Sequence, residues 1–149
     1  MNEYRLNLAK ELGADVVINP IKEDVIKRVL EETGGRGPDV VGEFSGNKFA
    51  IEQAFKYVKA GGKLSLLGIP TKDIEIDLAN DVVFKGISVY GVVGRKIYDT
   101  WYQVKELIDN NMLDLDKVIT HVMPMSKIEE AMELMGSGNC GKIVLDPKE

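Results

Sequence analysis

Short apolar segments alternate with helical segments along the first half of the sequence, and glycine ends each of the helices. Apolar runs typical of buried strands lie over Asp15–Ile18, Asp39–Phe44 and Lys63–Gly68. Apolar residues at helical spacing lie over about Tyr4–Leu12, Glu23–Glu32 and Lys48–Val58. A regular alternation of strands and helices with short loops is typical of a mostly parallel sheet covered by helices on both faces. The sequence therefore predicts a doubly wound α/β fold.

The pattern becomes less regular from Ile74 onward. Ile74–Ile76 alternates apolar and charged side chains as an edge strand does, and Ile87–Gly91 is typical of a further strand. The remaining predicted elements are a helix over about Tyr98–Asn110, a strand over Val118–Met123, a helix over Ile128–Met135 and a strand over Lys142–Leu145. These elements complete a chain that has no internal repeat at a fixed period.

Composition excludes several classes of function. The chain has 149 residues, of which 44% are hydrophobic and 29% charged, and this is ordinary for a soluble globular protein. Its 24 acidic and 19 basic residues are mixed along the sequence and give a net charge of −5, so no basic face for nucleic acid is visible. The apolar runs are far shorter than the roughly 20 residues that cross a bilayer. We expect a cytoplasmic protein that binds neither nucleic acid nor membrane.

Few side chains in this sequence are suited to catalysis or to metal binding. Cys140 and His121 are the single cysteine and the single histidine, which excludes an intramolecular disulfide and a four-cysteine zinc site. Both are interpreted as structural residues, since His121 lies in a strand-like run. Asp39 and Glu43 flank an apolar strand, where ordinary solvation at strand ends explains them. The sequence thus predicts no catalytic residue and no metal ligand.

One segment matches the dinucleotide-binding motif G-x-G-x-x-G by letter alone. It is the stretch Gly136–Gly141. The motif requires a strand, a turn and a helix in that order, because the helix N-terminus and the turn amides hold the pyrophosphate. Here a predicted helix precedes the glycines and a predicted strand follows them. We predict a loop that ends the helix.

Glycine-containing loops follow three of the predicted strands. They are Ser45-Gly46, Gly68-Ile69-Pro70 and Gly91–Arg95. Ligands of open α/β sheets bind outside the carboxyl ends of the strands, and glycine lets the backbone approach a flat ring or a phosphate. Arg95 would add positive charge for a phosphate. The alternative is that these are the turns that any α/β protein needs, and the two interpretations carry equal weight.

Several segments together resemble a known family. They are Asn2–Leu6 with Leu8-Ala9, Glu43–Gly46, Leu66–Pro70, Phe84–Gly86, Tyr90–Arg95, Thr100–Tyr102, Ile119–His121 and Gly141-Lys142. Over essentially all 149 residues the sequence resembles the C-terminal part of the zinc-containing, medium-chain alcohol dehydrogenases. The stretch from Gly94 to Tyr102 is similar to the threonine-oxidising branch of that family. The rest is shared with the branches that oxidise sorbitol and butanediol.

The resemblance implies that NAD lies across the strand ends. The implied contacts are Arg5 near the adenosine ribose, Ser45 and Gly46 beside the adenine half, Leu67, Gly68 and Ile69 near the nicotinamide ribose, Val92, Val93 and Gly94 against the nicotinamide, and Arg95 near the phosphates. Val93 departs from the family pattern, in which a small polar residue is expected. The implied reaction of the whole enzyme is oxidation of the secondary alcohol of L-threonine by hydride transfer to NAD.

The resemblance also implies an incomplete Rossmann-like domain. In the family's strand order 3-2-1-4-5-6, this sequence matches strands 3 to 6, so the first two strands, the glycine-rich turn, the ribose-binding acid and the zinc ligands are expected upstream of Met1. Residues 1–96 would be the remainder of the NAD-binding domain, and residues 97–149 a C-terminal segment of the catalytic domain. This chain alone is expected to be inactive. The alternatives are a non-catalytic oligomerising or nucleotide-binding fragment, or part of a polyol or butanediol dehydrogenase.

An incomplete sheet would leave strand edges without partners, and such edges recruit other strands. We therefore expect Val16–Ile18 to shift and pair with Val40–Phe44, or another chain to cover that edge. The family resemblance further implies a homo-oligomer formed through the edge at Ile74–Ile76 and Ile87–Gly91.

Overall fold

The computed structural model describes residues 2–148, and these residues form two compact units. One unit is Lys22–Gly94, and the other combines the stretch up to Ile21 with the stretch from Arg95 onward. In chain order the main elements are α1 (Glu3–Glu11), α2 (Val25–Glu32), β1 (Val40–Glu43), α3 (Lys48–Tyr57), β2 (Lys63–Leu66), β3 (Ser88–Gly91), α4 (Asp99–Asp109), α5 (Leu115–Val118), β4 (Ile119–Pro124), α6 (Ile128–Ser137) and β5 (Lys142–Asp146). Within these residues no helix is long and apolar enough to cross a membrane.

The unit Lys22–Gly94 is built on a three-stranded parallel sheet. The strand order is β1-β2-β3, and Val41 lies opposite Leu64, which lies opposite Val89. Helix α3 packs on this sheet through Ile51 and Phe55, which are buried with Val41 and Leu64 in one apolar cluster. The predicted α/β class with parallel strands is therefore confirmed.

The segment between β2 and β3 includes a π-helical turn over Leu78–Val83 that the sequence pattern does not reveal. Asp81 in this turn is only 4% exposed, and its carboxylate accepts a hydrogen bond of 2.7 Å from the Lys56 ammonium. That hydrogen bond raises the pKa of Lys56. The Lys85 ammonium donates to the carbonyl oxygens of Phe55 and Val58 at 2.7 and 3.2 Å, and burial lowers its pKa. These contacts fix the approach to β3 against the end of α3.

The predicted strand at Asp15–Ile18 is wrong. The segment is irregular, because no strand of the described chain lies beside it to form a ladder. Asn19, which directly follows the segment, donates from its side-chain nitrogen to the Glu3 carboxylate at 3.0 Å. The expected pairing of Val16–Ile18 with Val40–Phe44 is wrong for the same reason: among the described residues, β1 pairs with β2 alone.

The predicted edge strand at Ile74–Ile76 is also wrong. These residues are not part of any sheet in the described chain, and the Glu75 N–H donates to the Glu52 carboxylate at 3.0 Å instead of to a strand. Ile74 packs against the apolar cluster beneath α3. The alternation of apolar and charged residues therefore reflects one inward side chain in an irregular segment.

The second unit contains the parallel pair β4-β5 and helices α1, α4, α5 and α6. Asn2 caps α1, and its side-chain nitrogen also donates to the Ser137 carbonyl at 3.2 Å and to the Asn139 side chain at 2.9 Å. Gly138 follows α6 in the left-handed conformation. The predicted loop that ends the helix therefore begins at Gly138, whereas Gly136 and Ser137 still belong to α6. The domain boundary at residue 96 stays a prediction.

Candidate functional site

The three parallel strands of the sheet end together at their carboxyl ends. Glu43 of β1 lies opposite Leu66 of β2, which lies opposite Gly91 of β3. The stretches that leave these ends carry most of the predicted site residues. We name residues 43–46, 67–69 and 92–94 the strand-end edge. Parallel sheets of this kind bind ligands at such an edge, because loops from several strands converge there.

Glu43 begins the first loop of the strand-end edge. Its side chain is buried, with 6% exposed, which corrects the expectation that it is a solvated strand end. One carboxylate oxygen accepts from the Ser45 N–H at 2.9 Å and from the Ser45 hydroxyl, and the other accepts from the Gly46 N–H at 3.1 Å. A buried carboxylate needs such donors, since it has lost its hydration. The loop therefore folds around the charge of Glu43.

The first and second loops touch through their backbones. The Glu43 carbonyl oxygen accepts from the N–H groups of Leu67 and Gly68 at 2.9 and 3.1 Å. A Cβ on Gly46 would lie 2.5 Å from the carbonyl oxygen of Ile69, and a Cβ on Gly68 would lie 2.0 Å from the Gly46 nitrogen. Glycine is required at both positions by this close approach.

A surface cleft of about 350 Å³ lies beside these two loops. Its lining residues are Ser45, Gly46, Asn47, Lys48, Phe49, Ile69, Thr71 and Lys72. Asn47 caps α3 by accepting from the N–H groups of Phe49 and Ala50, and Lys48 is paired with Glu52 at 3.4 Å. The exposed side chains of Phe49 and Ile69 give the cleft apolar surface next to its amide and ammonium groups. The cleft thus suits a ligand with both apolar and polar parts.

The third loop is open to solvent. The Val92 N–H donates to the Leu66 carbonyl at 2.9 Å, which continues the sheet pairing past β3. Val93 follows with 90% of its side chain exposed. A Cβ on Gly94 or Gly91 would meet no atom within 4 Å. The loop therefore presents apolar surface and uncovered backbone to any ligand at the strand-end edge.

The structure brings together eight of the ten predicted site residues within the unit Lys22–Gly94. They are Ser45, Gly46, Leu67, Gly68, Ile69, Val92, Val93 and Gly94. Arg5 lies exposed on α1 and Arg95 is exposed at the start of the second stretch of the other unit. The ligand contacts of all ten residues stay predictions. Glu43 is the residue that the sequence reasoning missed, and its signal is a carboxylate followed two and three residues later by Ser45 and Gly46.

No group of three His, Cys, Asp or Glu side chains that could hold a metal ion occurs among residues 2–148. Cys140 is 1% exposed. The Nδ1 atom of His121 lies 2.8 Å from the Thr120 hydroxyl, which in turn accepts from the Gly141 N–H at 2.9 Å. These contacts join the His121 ring to Thr120 and Thr120 to the residue before β5, and the interpretation of His121 as a structural residue stays a prediction.

A protein-family model described as zinc-binding dehydrogenase matches residues 1–110. An L-threonine 3-dehydrogenase from Symbiobacterium thermophilum is 50% identical over 148 residues, which is 99% of this chain and 42% of that protein. Another, from Caldanaerobacter subterraneus subsp. tengcongensis, is 49% identical over 97% of this chain and 42% of its own length. The chain thus spans less than half the length of these curated relatives.

Solved structures show the same architecture. The 2R,3R-butanediol dehydrogenase from Bacillus subtilis superposes with a TM-score of 0.88 at 29% sequence identity. The match covers 99% of this chain and 42% of that protein. The likeness therefore extends over both the three-stranded sheet and the β4-β5 pair.

Proposed function

The chain belongs to the zinc-binding dehydrogenase family, and on this basis we propose that its strand-end edge holds NAD in an enzyme that oxidises L-threonine. The observation that carries the proposal is the shared end of β1, β2 and β3, from which three exposed loops leave side by side. The substrate is proposed from the relatives, which are L-threonine 3-dehydrogenases at 49% and 50% identity.

The residues of the strand-end edge fit a nicotinamide nucleotide. Val92 and Val93 offer exposed apolar surface for a flat ring, and the open space beside Gly91 and Gly94 lets a ligand approach the backbone. The cleft at Ser45 offers apolar and hydrogen-bonding surface for the other half of the molecule. NAD, when bound, accepts a hydride from the carbon that carries the substrate hydroxyl. The chain's own part is to hold and orient this cofactor and to exclude water from one side of it.

The residues present do not fit the zinc ion that the family description implies. Residues 2–148 contain no set of three ligands for it. We propose that this chain corresponds to the C-terminal part of the enzyme, and that the zinc ligands and the substrate site belong to the remaining portion of its relatives. In this assignment residues 1–96 are the remainder of the cofactor domain and residues 97–149 a segment of the catalytic domain. The chain alone is then a cofactor-binding fragment that does not oxidise threonine.

The proposal is tested by replacing Val93 with aspartate and titrating NADH, whose reduced nicotinamide ring is uncharged, into the 149-residue chain. An anionic, hydrated side chain against this ring should weaken NADH binding by about tenfold or more. Val83→Asp is the matched control, because Val83 is 65% exposed in the same unit but lies outside the strand-end edge. Its NADH affinity should equal that of the unsubstituted chain. Equal losses in both variants would contradict the placement of the cofactor.

Two further readouts complete this test. Amide NMR shifts on NAD addition should be concentrated at residues 45–46, 67–69 and 92–94, and shifts confined to other residues would overturn the proposal. With NAD, zinc and L-threonine together, the chain should reduce no NAD. Reduction of NAD by this chain alone would show that it holds a complete active site.

We also propose that the chain forms a homo-oligomer through β3. All four residues Ser88–Gly91 are exposed, including the side chains of Val89 and Tyr90, and no described strand pairs with the outer edge of β3. An exposed apolar edge strand is a template for pairing with a second copy. Sedimentation should show a dimer or larger species at high concentration. A monomer under those conditions would contradict the proposal.

A further inference from the structure

We propose that Glu43 is a positioning residue, whose buried carboxylate holds the loops after β1 and β2 in the conformation that receives the cofactor. The inference rests on the proposed function, because it assigns a role in NAD binding. Glu43 contacts no ligand in this role. It acts through the backbone of the residues that do.

The side chain of Glu43 forms hydrogen bonds only with the loop after β1, as far as the described residues show. Its two oxygens accept three hydrogen bonds, from the Ser45 N–H, the Ser45 hydroxyl and the Gly46 N–H. The Ser45 hydroxyl in turn accepts from the Asn47 N–H at 3.1 Å, so the order extends to the cap of α3. Neutral side chains of equal size cannot accept all three bonds, since an amide offers one oxygen.

The main-chain carbonyl of Glu43 forms hydrogen bonds with the loop after β2. Its carbonyl oxygen accepts from Leu67 and Gly68, and a Cβ on Gly68 would lie 2.7 Å from its Oε2 atom. One residue thus fixes the loop after β1 by its side chain and the loop after β2 by its backbone. These hydrogen bonds hold the two loops together, and a preformed geometry lowers the ordering cost of binding.

The same contacts separate a positioning role from a purely structural one. The side-chain bonds of Glu43 reach only two and three residues along the chain, and none of them joins the apolar cluster under α3. Burial of a carboxylate also costs more desolvation free energy than burial of a neutral amide. Loss of the charge should therefore loosen the loop while the sheet and its core persist.

The test compares Glu43→Gln with Asp77→Asn in the 149-residue chain. Asp77 also accepts a backbone N–H, that of Asn80 at 3.1 Å, but it lies outside the strand-end edge and the cleft. In Glu43→Gln, amide hydrogen exchange at Ser45 and Gly46 should accelerate by about tenfold or more. Exchange at Lys63, whose N–H bonds to the Asp39 carbonyl, should stay unchanged, and Tm should stay within about 3 °C.

The Kd for NAD tests whether the Glu43 carboxylate contributes to cofactor binding. Glu43→Gln should raise the Kd for NAD by about fivefold or more, while Asp77→Asn should leave it unchanged. Ser45→Ala, which removes one of the three donors, should give a smaller rise.

Three outcomes would overturn the inference. They are unchanged amide exchange at Ser45 and Gly46, equally accelerated amide exchange at Lys63, and an unchanged Kd for NAD in a variant whose loop has loosened. The proposed function stands after each of these outcomes if the unsubstituted chain binds NAD. Absence of NAD binding by the unsubstituted chain would overturn the proposed function, and this inference with it.

Discussion

Gly68→Ala should lower the free energy of unfolding by about 3 kcal/mol and abolish the proposed NAD binding at the strand-end edge. The added Cβ would lie 2.0 Å from the Gly46 nitrogen and 2.7 Å from the Glu43 carboxylate. Backbone and a buried, fully bonded carboxylate cannot yield as the tip of a flexible side chain can. The loops after β1 and β2 must therefore separate, and the binding surface that they form together is lost.

Gly91→Ala is the control for Gly68→Ala. Gly91 also lies at a strand end of the same sheet, but a Cβ there would meet no atom within 4 Å. Its stability should stay within about 1 kcal/mol of the original, with a slight gain from reduced backbone freedom. Urea denaturation of both variants compares their stability, and NAD titration of Gly68→Ala measures the loss of binding. Equal stability of the two variants would refute the close approach of the loops.

Gly37→Ala should lower the free energy of unfolding by about 3–5 kcal/mol. Gly37 has φ +82°, and a Cβ would lie 1.9 Å from the Tyr57 carbonyl oxygen and 3.0 Å from the Lys59 nitrogen. Two costs therefore combine, one from the left-handed backbone and one from the clash with the end of α3. The turn into β1 cannot close on α3 once the methyl group is present.

Gly35→Ala separates these two costs. Gly35 has φ +79° in the same turn, but a Cβ there would have nothing within 4 Å. Only the backbone cost of about 1–2 kcal/mol remains. Denaturant unfolding of both variants measures the clash as the difference between them. If Gly35→Ala loses as much stability as Gly37→Ala, the clash with Tyr57 contributes nothing.

The sheet is the part of the fold that the sequence predicts best. β1, β2 and β3 lie within the predicted runs Asp39–Phe44, Lys63–Gly68 and Ile87–Gly91. Each run is apolar and is bounded by glycine or by turn residues, so local pattern and tertiary partner agree. Their shared carboxyl edge follows from parallel pairing, and it brings most of the predicted site residues together.

The two wrong strands fail for one physical reason. Asp15–Ile18 and Ile74–Ile76 have local patterns typical of strands, but a strand exists only when a neighbour accepts and donates its backbone hydrogen bonds. In the described chain neither segment has such a neighbour. The pattern records how side chains alternate, and it carries no information about the partner.

Glu43 shows a different limit. A charged residue at a strand end is ordinarily solvated, so the sequence favours an exposed side chain. The partners that allow the burial of Glu43 are backbone N–H groups of the next few residues. Every residue type except proline carries such a group, so the sequence does not show which of them bind the carboxylate. The buried carboxylate becomes visible only when the turn through Ser45 and Gly46 is known.

The division into two units has a consequence for how the protein is made. The unit Lys22–Gly94 is continuous, so a ribosome has supplied all its parts once residue 94 has emerged. The other unit combines the stretch up to Ile21 with the stretch from Arg95 onward. The Asn2 side chain therefore can form its hydrogen bonds with Ser137 and Asn139 only after these residues have been synthesised. Vectorial synthesis therefore favours a nascent chain in which the sheet that carries the strand-end edge is already folded while the Asn2 side chain still lacks its bonds to Ser137 and Asn139.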